Sequence, residues 1–139
     1  RVRTSPTTFI DAAHNPHGAK ALGAALDRDF DFARLIGVLS IFADKDAPGI
    51  LTALEPYLTE VVITQNSSPR ALDAYDLAET ARDIFGEERV HVADNLPGAY
   101  AQAVELAEDA EVQSGSGIII TGSVVTAGDA RAMFGKEPA

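Results

Sequence analysis

The residues of this chain that can do chemistry gather in three short polar turns. The first, Asp11-Ala-Ala-His-Asn-Pro16, sets a carboxylate and an imidazole, Asp11 and His14, close together in the chain. The second is Asp44-Lys45-Asp46, and the third is Thr121-Gly122-Ser123. Each follows an apolar segment and precedes a helical pattern. In an open parallel sheet such turns share the carboxyl edge, where α/β proteins hold their ligands. Short polar turns are needed in any α/β fold, so each residue taken singly also has a purely structural alternative. On that alternative Asn15 is only a helix cap, and Asp44 and Asp46 only start the next helix. His17 and His91 have no companion residues and read as surface or packing histidines.

The elements that must position these turns are legible in order. Thr8-Phe9-Ile10 favours a half-buried strand. Asn15 and Pro16 start a helix, since Asn accepts from free amides and Pro needs no partner at the first helical position. That helix is expected from Pro16 to about Asp29, with Ala19, Leu22, Ala25 and Leu26 on one face. Arg34–Ile41 is a nearly unbroken apolar run, suited to a strand covered on both faces. Ile50, Leu51, Leu54 and Leu58 recur at helical spacing, and Pro56 must end or distort their helix. Glu60–Gln65 is a third strand, 66–72 a loop, and Asp73 the cap of a helix that Gly86 stops.

Arg89–Ala93 is a short strand, and Asn95 caps a helix bearing Leu96, Tyr100, Ala103 and Ala107. Residues 108–117 read as a connection, Gly117–Gly122 as the clearest buried strand, and about Ser123 to Phe134 as a last helix before a polar tail. Strands alternating with helices five times imply an α/β fold: an open, mostly parallel sheet of five to six strands with helices on both faces.

With 139 residues, 46% of them apolar, the expectation is one globular domain. The net charge of −10 and the absence of any Lys/Arg run argue against nucleic acid and anionic membranes as partners. An anionic ligand must then be held locally, by a helix N-terminus or a few basic side chains. With no cysteine there is neither a disulfide frame nor a thiolate metal site, and three scattered histidines give no zinc spacing. No apolar run reaches membrane-spanning length and no signal peptide opens the chain, so a soluble cytoplasmic protein is the expectation. The opening Arg1-Val-Arg-Thr-Ser-Pro6, without Met, reads like the interior of a longer protein.

No Gly-x-x-x-x-Gly-Lys-[Ser/Thr] phosphate loop occurs, and no Gly-x-Gly-x-x-Gly follows the first strand. Gly115-Ser-Gly117 precedes its strand, the wrong side for a dinucleotide, and Ser123 is not in a Gly-x-Ser-x-Gly elbow. A phosphorelay receiver would need further acidic residues ahead of its acceptor strand. The residues alone thus define a ligand-binding α/β domain.

The motif at 11–19, together with Ala43-Asp-Lys-Asp46, Pro69-Arg-Ala-Leu72 and Thr121-Gly-Ser123…Gly128-Asp-Ala-Arg131, resembles folylpolyglutamate synthase/dihydrofolate synthase. The match is to the C-terminal domain of that family, in the same order over nearly the whole chain. Cell-wall Mur ligases share the architecture, but their motif differs around Ala13-His14, and the Ala-Asp-Lys-Asp turn favours the folate branch.

The resemblance implies an ATP-dependent amide ligase. ATP phosphorylates the γ-carboxyl of a folate, or the equivalent carboxyl of dihydropteroate, and the amine of L-glutamate attacks the acyl phosphate. It implies that the phosphate loop, the Mg2+ ligands and the folate pocket belong to an N-terminal ATPase domain of the same polypeptide. It also implies that 1–139 is the C-terminal third of an enzyme, inactive alone, with no metal ligand and no catalytic residue of its own. Residue by residue, Asp11 matches an aspartate that contacts the nucleoside of ATP. His14 matches a histidine at the interdomain cleft, near glutamate and the phosphates, and Ser123 a serine of the glutamate site. The rivals are a free-standing domain that binds a small anion, a nucleotide or a partner protein without catalysis, and the C-terminal domain of another Mur-type ligase.

Overall fold

The computed structural model describes residues 3–4, 7–108 and 115–135. Most of the connection expected at 108–117, and the polar tail, lie outside them. In chain order the elements are β1 (Arg3–Thr4), β2 (Thr7–Ile10), α1 (Pro16–Asp29), β3 (Arg34–Leu39), α2 (Ala47–Leu54), β4 (Glu60–Ile63), α3 (Ala74–Phe85), β5 (Val90–Val92), α4 (Leu96–Glu108), β6 (Ser116–Thr121) and α5 (Val124–Gly135). Single 3-10 turns occupy Glu55–Tyr57 and Glu87–Arg89. The six strands stand in the order β1-β2-β6-β3-β4-β5. All neighbours are parallel except β1, which folds back antiparallel on β2 as an edge strand that the sequence pattern does not announce.

Register aligns the strand ends. Ile10 pairs with Ile120, Leu39 with both Thr121 and Ile63, and Ile63 with Val92. Every parallel strand therefore delivers its following turn to one line along the sheet. The two faces are covered separately. Leu39, Ile63 and Ile119 pack with Leu26 of α1, Leu51 and Leu54 of α2, and Leu77 and Phe85 of α3. Ile36, Val38, Val62, Ile118 and Ile120 pack with Ala99, Tyr100 and Ala103 of α4 and Ala130 of α5. Burial on both faces is why these strands read as continuous apolar runs.

Helix starts follow the expected chemistry. Asn15 accepts from Gly18 N (2.7 Å), Asp46 from Gly49 N (3.0 Å), Asp73 from Asp76 N (3.2 Å) and Asn95 from Gly98 N (2.9 Å). Pro56 falls in the 3-10 turn that ends α2, and Gly86, at φ 89°, ends α3. Several expected boundaries move inward. The strand expected to reach Ile41 stops at Leu39, because Ser40–Phe42 turn away to meet the loop after β4, with Phe42 bridging Ala71. The strand expected to reach Gln65 stops at Ile63 and that expected over Arg89–Ala93 shrinks to Val90–Val92, while β6 starts and ends one residue early. On α1 the buried positions are Ala19, Gly23 and Leu26, with Ala25 only half-buried. The ring of Tyr57 lies so close over Gly23 that a Cβ would enter it.

Gly122 carries the sharpest backbone demand. Its φ is 123°, and a Cβ there would overlap the carbonyl oxygen of Ser40. Gly86 also has positive φ, but its Cβ position is open. We therefore expect Gly86→Ala to cost about 1–3 kcal/mol from backbone strain alone. Gly122→Ala should cost about 1–3 kcal/mol more, since rigid backbone cannot yield to the added carbon. Thermal denaturation of the two variants checks this, and equal losses would contradict the overlap at Ser40.

Candidate functional site

The crevice follows from topology. The helices after β2 and β3 lie on one face, whereas α5, after β6, lies on the other. Because β6 stands between β2 and β3, the chain parts to opposite faces on either side of β6. Ligands of open α/β sheets sit outside the carboxyl ends at such a switch point.

Asp11 stands at that point. Its N–H donates to Ile120 O (3.0 Å), extending the β2–β6 ladder by one residue, and its Oδ2 accepts from Ala13 N (2.9 Å). The side chain thus braces its own turn with one oxygen, while the other has no partner among the described residues. On the neighbouring strand Thr121 is wholly buried, and its hydroxyl has no partner among the described residues either. His14 is exposed, with Nδ1 3.1 Å from Ala12 O. A carbonyl can only accept, so Nδ1 carries the proton and Nε2 of the neutral ring is left as an outward acceptor. No hydrogen bond joins His14 to Asp11 or to Ser123. The start of α2 comes up beside that of α1, for a Cβ on Gly49 would stand 2.8 Å from Pro16 Cγ. Two helix N-termini thus open side by side at this edge, their positive ends favouring negative charge.

Asp46 is a cap, as the structural alternative expected, and Asn15 is one too. Asp44 instead accepts from Arg70 Nη2 (2.9 Å), and the Arg70 guanidinium lies 4.3 Å over the Phe42 ring. His17 is exposed, and His91 is half-buried beside Glu60 (3.5 Å).

Ser123 is 1% exposed. It caps α5 by accepting from Thr126 N (2.9 Å), and its Oγ lies 2.8 Å from Thr126 Oγ1. Thr126 Oγ1 donates to Ser40 O (3.0 Å), so the proton between the two hydroxyls must come from Ser123. Asn66 Nδ2 donates to both hydroxyls, at 3.1 and 3.0 Å, and Asn66 N donates to Ser40 Oγ (2.8 Å). This buried network joins the ends of β3, β4 and β6. Sequence reading passed over Asn66, Thr126 and Ser40, because a polar residue in a loop or first helical turn looks solvated, and only the β4–β6 proximity buries it.

Farther along the same edge a groove of about 450 Å³ opens between α4 and α5, lined in part by Asn66, Ser67, Asp94, Leu96, Asp129 and Met133. Tyr75 OH donates to Asp94 (3.1 Å), and the adjacent carboxylate raises the phenol above its ordinary range. Among the described residues no three His, Cys, Asp or Glu side chains come together to hold a metal ion. None of their helices is long and apolar enough to cross a membrane.

A parallel sheet with a switch point, two helix N-termini and an aspartate beside them defines a doubly wound α/β domain. The family described as Mur ligase, glutamate ligase domain, matches residues 1–124, and the chain belongs to that family. Dihydrofolate synthase/folylpolyglutamate synthase of Mycobacterium tuberculosis is 53% identical over 146 residues, covering 99% of this chain and 30% of that protein. A solved structure, Mycobacterium tuberculosis folylpolyglutamate synthase complexed with ADP, aligns with a TM-score of 0.95 at 54% identity, over 100% of this chain and 32% of that one. The structure of a bifunctional folylpolyglutamate synthase/dihydrofolate synthase with Mn, AMPPNP and L-glutamate bound shares the fold, with a TM-score of 0.77 at 24% identity over 94% and 29% of the chains. The chain thus spans about a third or less of the length of these relatives.

The Asp44–Arg70 pair gives a direct test of the second turn. Hydrogen bonding by Arg70 holds the Asp44 carboxyl below the usual aspartate range. A depressed carboxyl contributes stability above its unfolded value, and loses it as pH falls through the folded one. The pair is exposed, so its contribution is screened by salt. Carboxyl titration by NMR should show Asp44 below ordinary aspartates and moving up in Arg70→Ala. An unchanged titration would remove the pair from the turn in solution.

Proposed function

We propose that this chain is the C-terminal, glutamate-ligase third of an ATP-dependent folate ligase. The enzyme adds L-glutamate to folate, dihydropteroate or both through an acyl phosphate, and it works in the cytoplasm. The observation that carries the reading is 53% identity along 99% of the chain to a dihydrofolate synthase/folylpolyglutamate synthase. The partner is an N-terminal ATPase domain of the same polypeptide.

In this reading the domain closes over the nucleotide and positions the amino acid. Asp11 fits a nucleoside contact, since one carboxylate oxygen holds the turn and the other, without a partner among the described residues, can accept from the ligand. His14, with Nε2 as an acceptor, fits the amine of the incoming glutamate beside the phosphates. Ser123 belongs to the glutamate side, where it fixes the first turn of α5. ATP supplies the phosphoryl group that activates the carboxyl. In this reading the Mg2+ ligands belong to the partner domain. The chain alone is inactive in this reading.

Substitutions in the complete polypeptide test these assignments. Asp11→Asn can still accept from Ala13 N, so it should leave melting nearly unchanged. It should raise the apparent KM for ATP about ten- to a hundredfold, the value of one charge-assisted hydrogen bond. His14→Ala should instead lower kcat, as expected of a group that acts at closure. Glutamate- and folate-dependent ADP release and thermal melting are the measurements. Variants with lowered Tm and unchanged kinetics would reduce the motif to a fold device, and glutamate ligation by residues 1–139 alone would refute the division of labour.

A further inference from the structure

We propose that Asn66 is a positioning residue for the glutamate side of the crevice, an inference that rests on the function proposed above. Ser123 is the residue assigned to that side, yet its hydroxyl has no capacity left for a ligand. It accepts from Thr126 N and Asn66 Nδ2, and its proton goes to Thr126 Oγ1. Ser123 therefore acts through the shape of its turn, and the question becomes what holds that turn.

Asn66 does so with every polar group its side chain has. The two Nδ2 protons go to Ser123 and Thr126, and Oδ1 accepts from Ser68 N (2.9 Å). Its own N–H is anchored on Ser40 Oγ (2.8 Å), so the carboxamide is referenced to β3 and β4 while it grips α5. Asp129, one turn further along α5, returns the grip on the same loop, accepting from Ser67 N (2.7 Å) and Ser67 Oγ (2.9 Å). The start of α5 and the loop after β4 thus move as one unit. Buried donors aimed at two hydroxyls specify one geometry, because any displacement leaves polar groups unpaired. Asp11 lies on the other side of β6 and makes no hydrogen bond to this network, so the ATP side should be insensitive to it.

Asn66→Asp is nearly isosteric and keeps the backbone anchor and the acceptor for Ser68 N, but it removes both donors. In the complete polypeptide it should raise KM for glutamate about tenfold, the scale of one or two lost hydrogen bonds. KM for ATP should stay within about twofold. Hydrogen exchange should speed up over 123–127, where Thr126 N–H is protected by Ser123. Asn66→Ser is a second variant with a small donor, expected to lie between Asp and wild type in KM for glutamate. A lowered Tm with both KM values unchanged would overturn the proposal and leave Asn66 a structural brace. Unchanged exchange over 123–127 would overturn it by showing that the network does not hold the turn. An unmodified polypeptide lacking glutamate-dependent ADP release would overturn the function proposed above, and this role with it, whereas a normal parent with a normal variant overturns this role alone.

Discussion

The crevice depends on one close approach, where the turn after β6 crosses the end of β3. The Ser40 carbonyl at that crossing lies where the Cβ of any residue at position 122 would have to go, and it also receives the Thr126 hydroxyl. Only glycine lets the two backbones come this near. Once they do, Ser40, Ser123, Thr126 and Asn66 fall within hydrogen-bonding reach and can satisfy one another away from water. A bulkier turn would have to lift α5, leaving those groups to be hydrated or unpaired, which is costly in a buried setting.

The proposed function requires a chain of net charge −10 to serve anionic ligands. Long-range attraction cannot help it, since the overall field repels negative ligands. What remains is local: free backbone amides at helix starts and a few cations on neighbouring loops. The Asn15 and Asp46 caps each use up one of those amides and leave others, so capping and anion attraction coexist at the same helix ends.

Much of this was legible from local chemistry. Asn15-Pro16, Asp73, Asn95 and Gly86 mark helix ends by mechanisms confined to a few residues, and the structure has each of them there. Buried runs such as Ile118-Ile119-Ile120 are strands covered on both sides, which needs no knowledge of the partner. Strand ends were less legible, because Ser40–Phe42 leaves the sheet only through its pairing with the loop at Arg70–Leu72. The site divides in the same way. The proposed Asp11 and His14 stand in a motif visible in the sequence, whereas the buried place of Asn66 depends on Ser123, 57 positions away. The two-residue β1 carries no pattern at all, being defined by the β2 backbone it returns to.

That small strand has a bearing on colloidal behaviour. Open sheets carry their risk of self-association at the margins, where unpaired amides and carbonyls can template another molecule's strand. Here one margin is the two-residue β1 and the other the three-residue β5. Neither is long enough to start a stable intermolecular ladder, while the apolar strands that could do so, β3 and β6, are shut in the middle. The acidic surface adds mutual repulsion between copies. Blunt margins of this kind leave another copy no long free edge to extend.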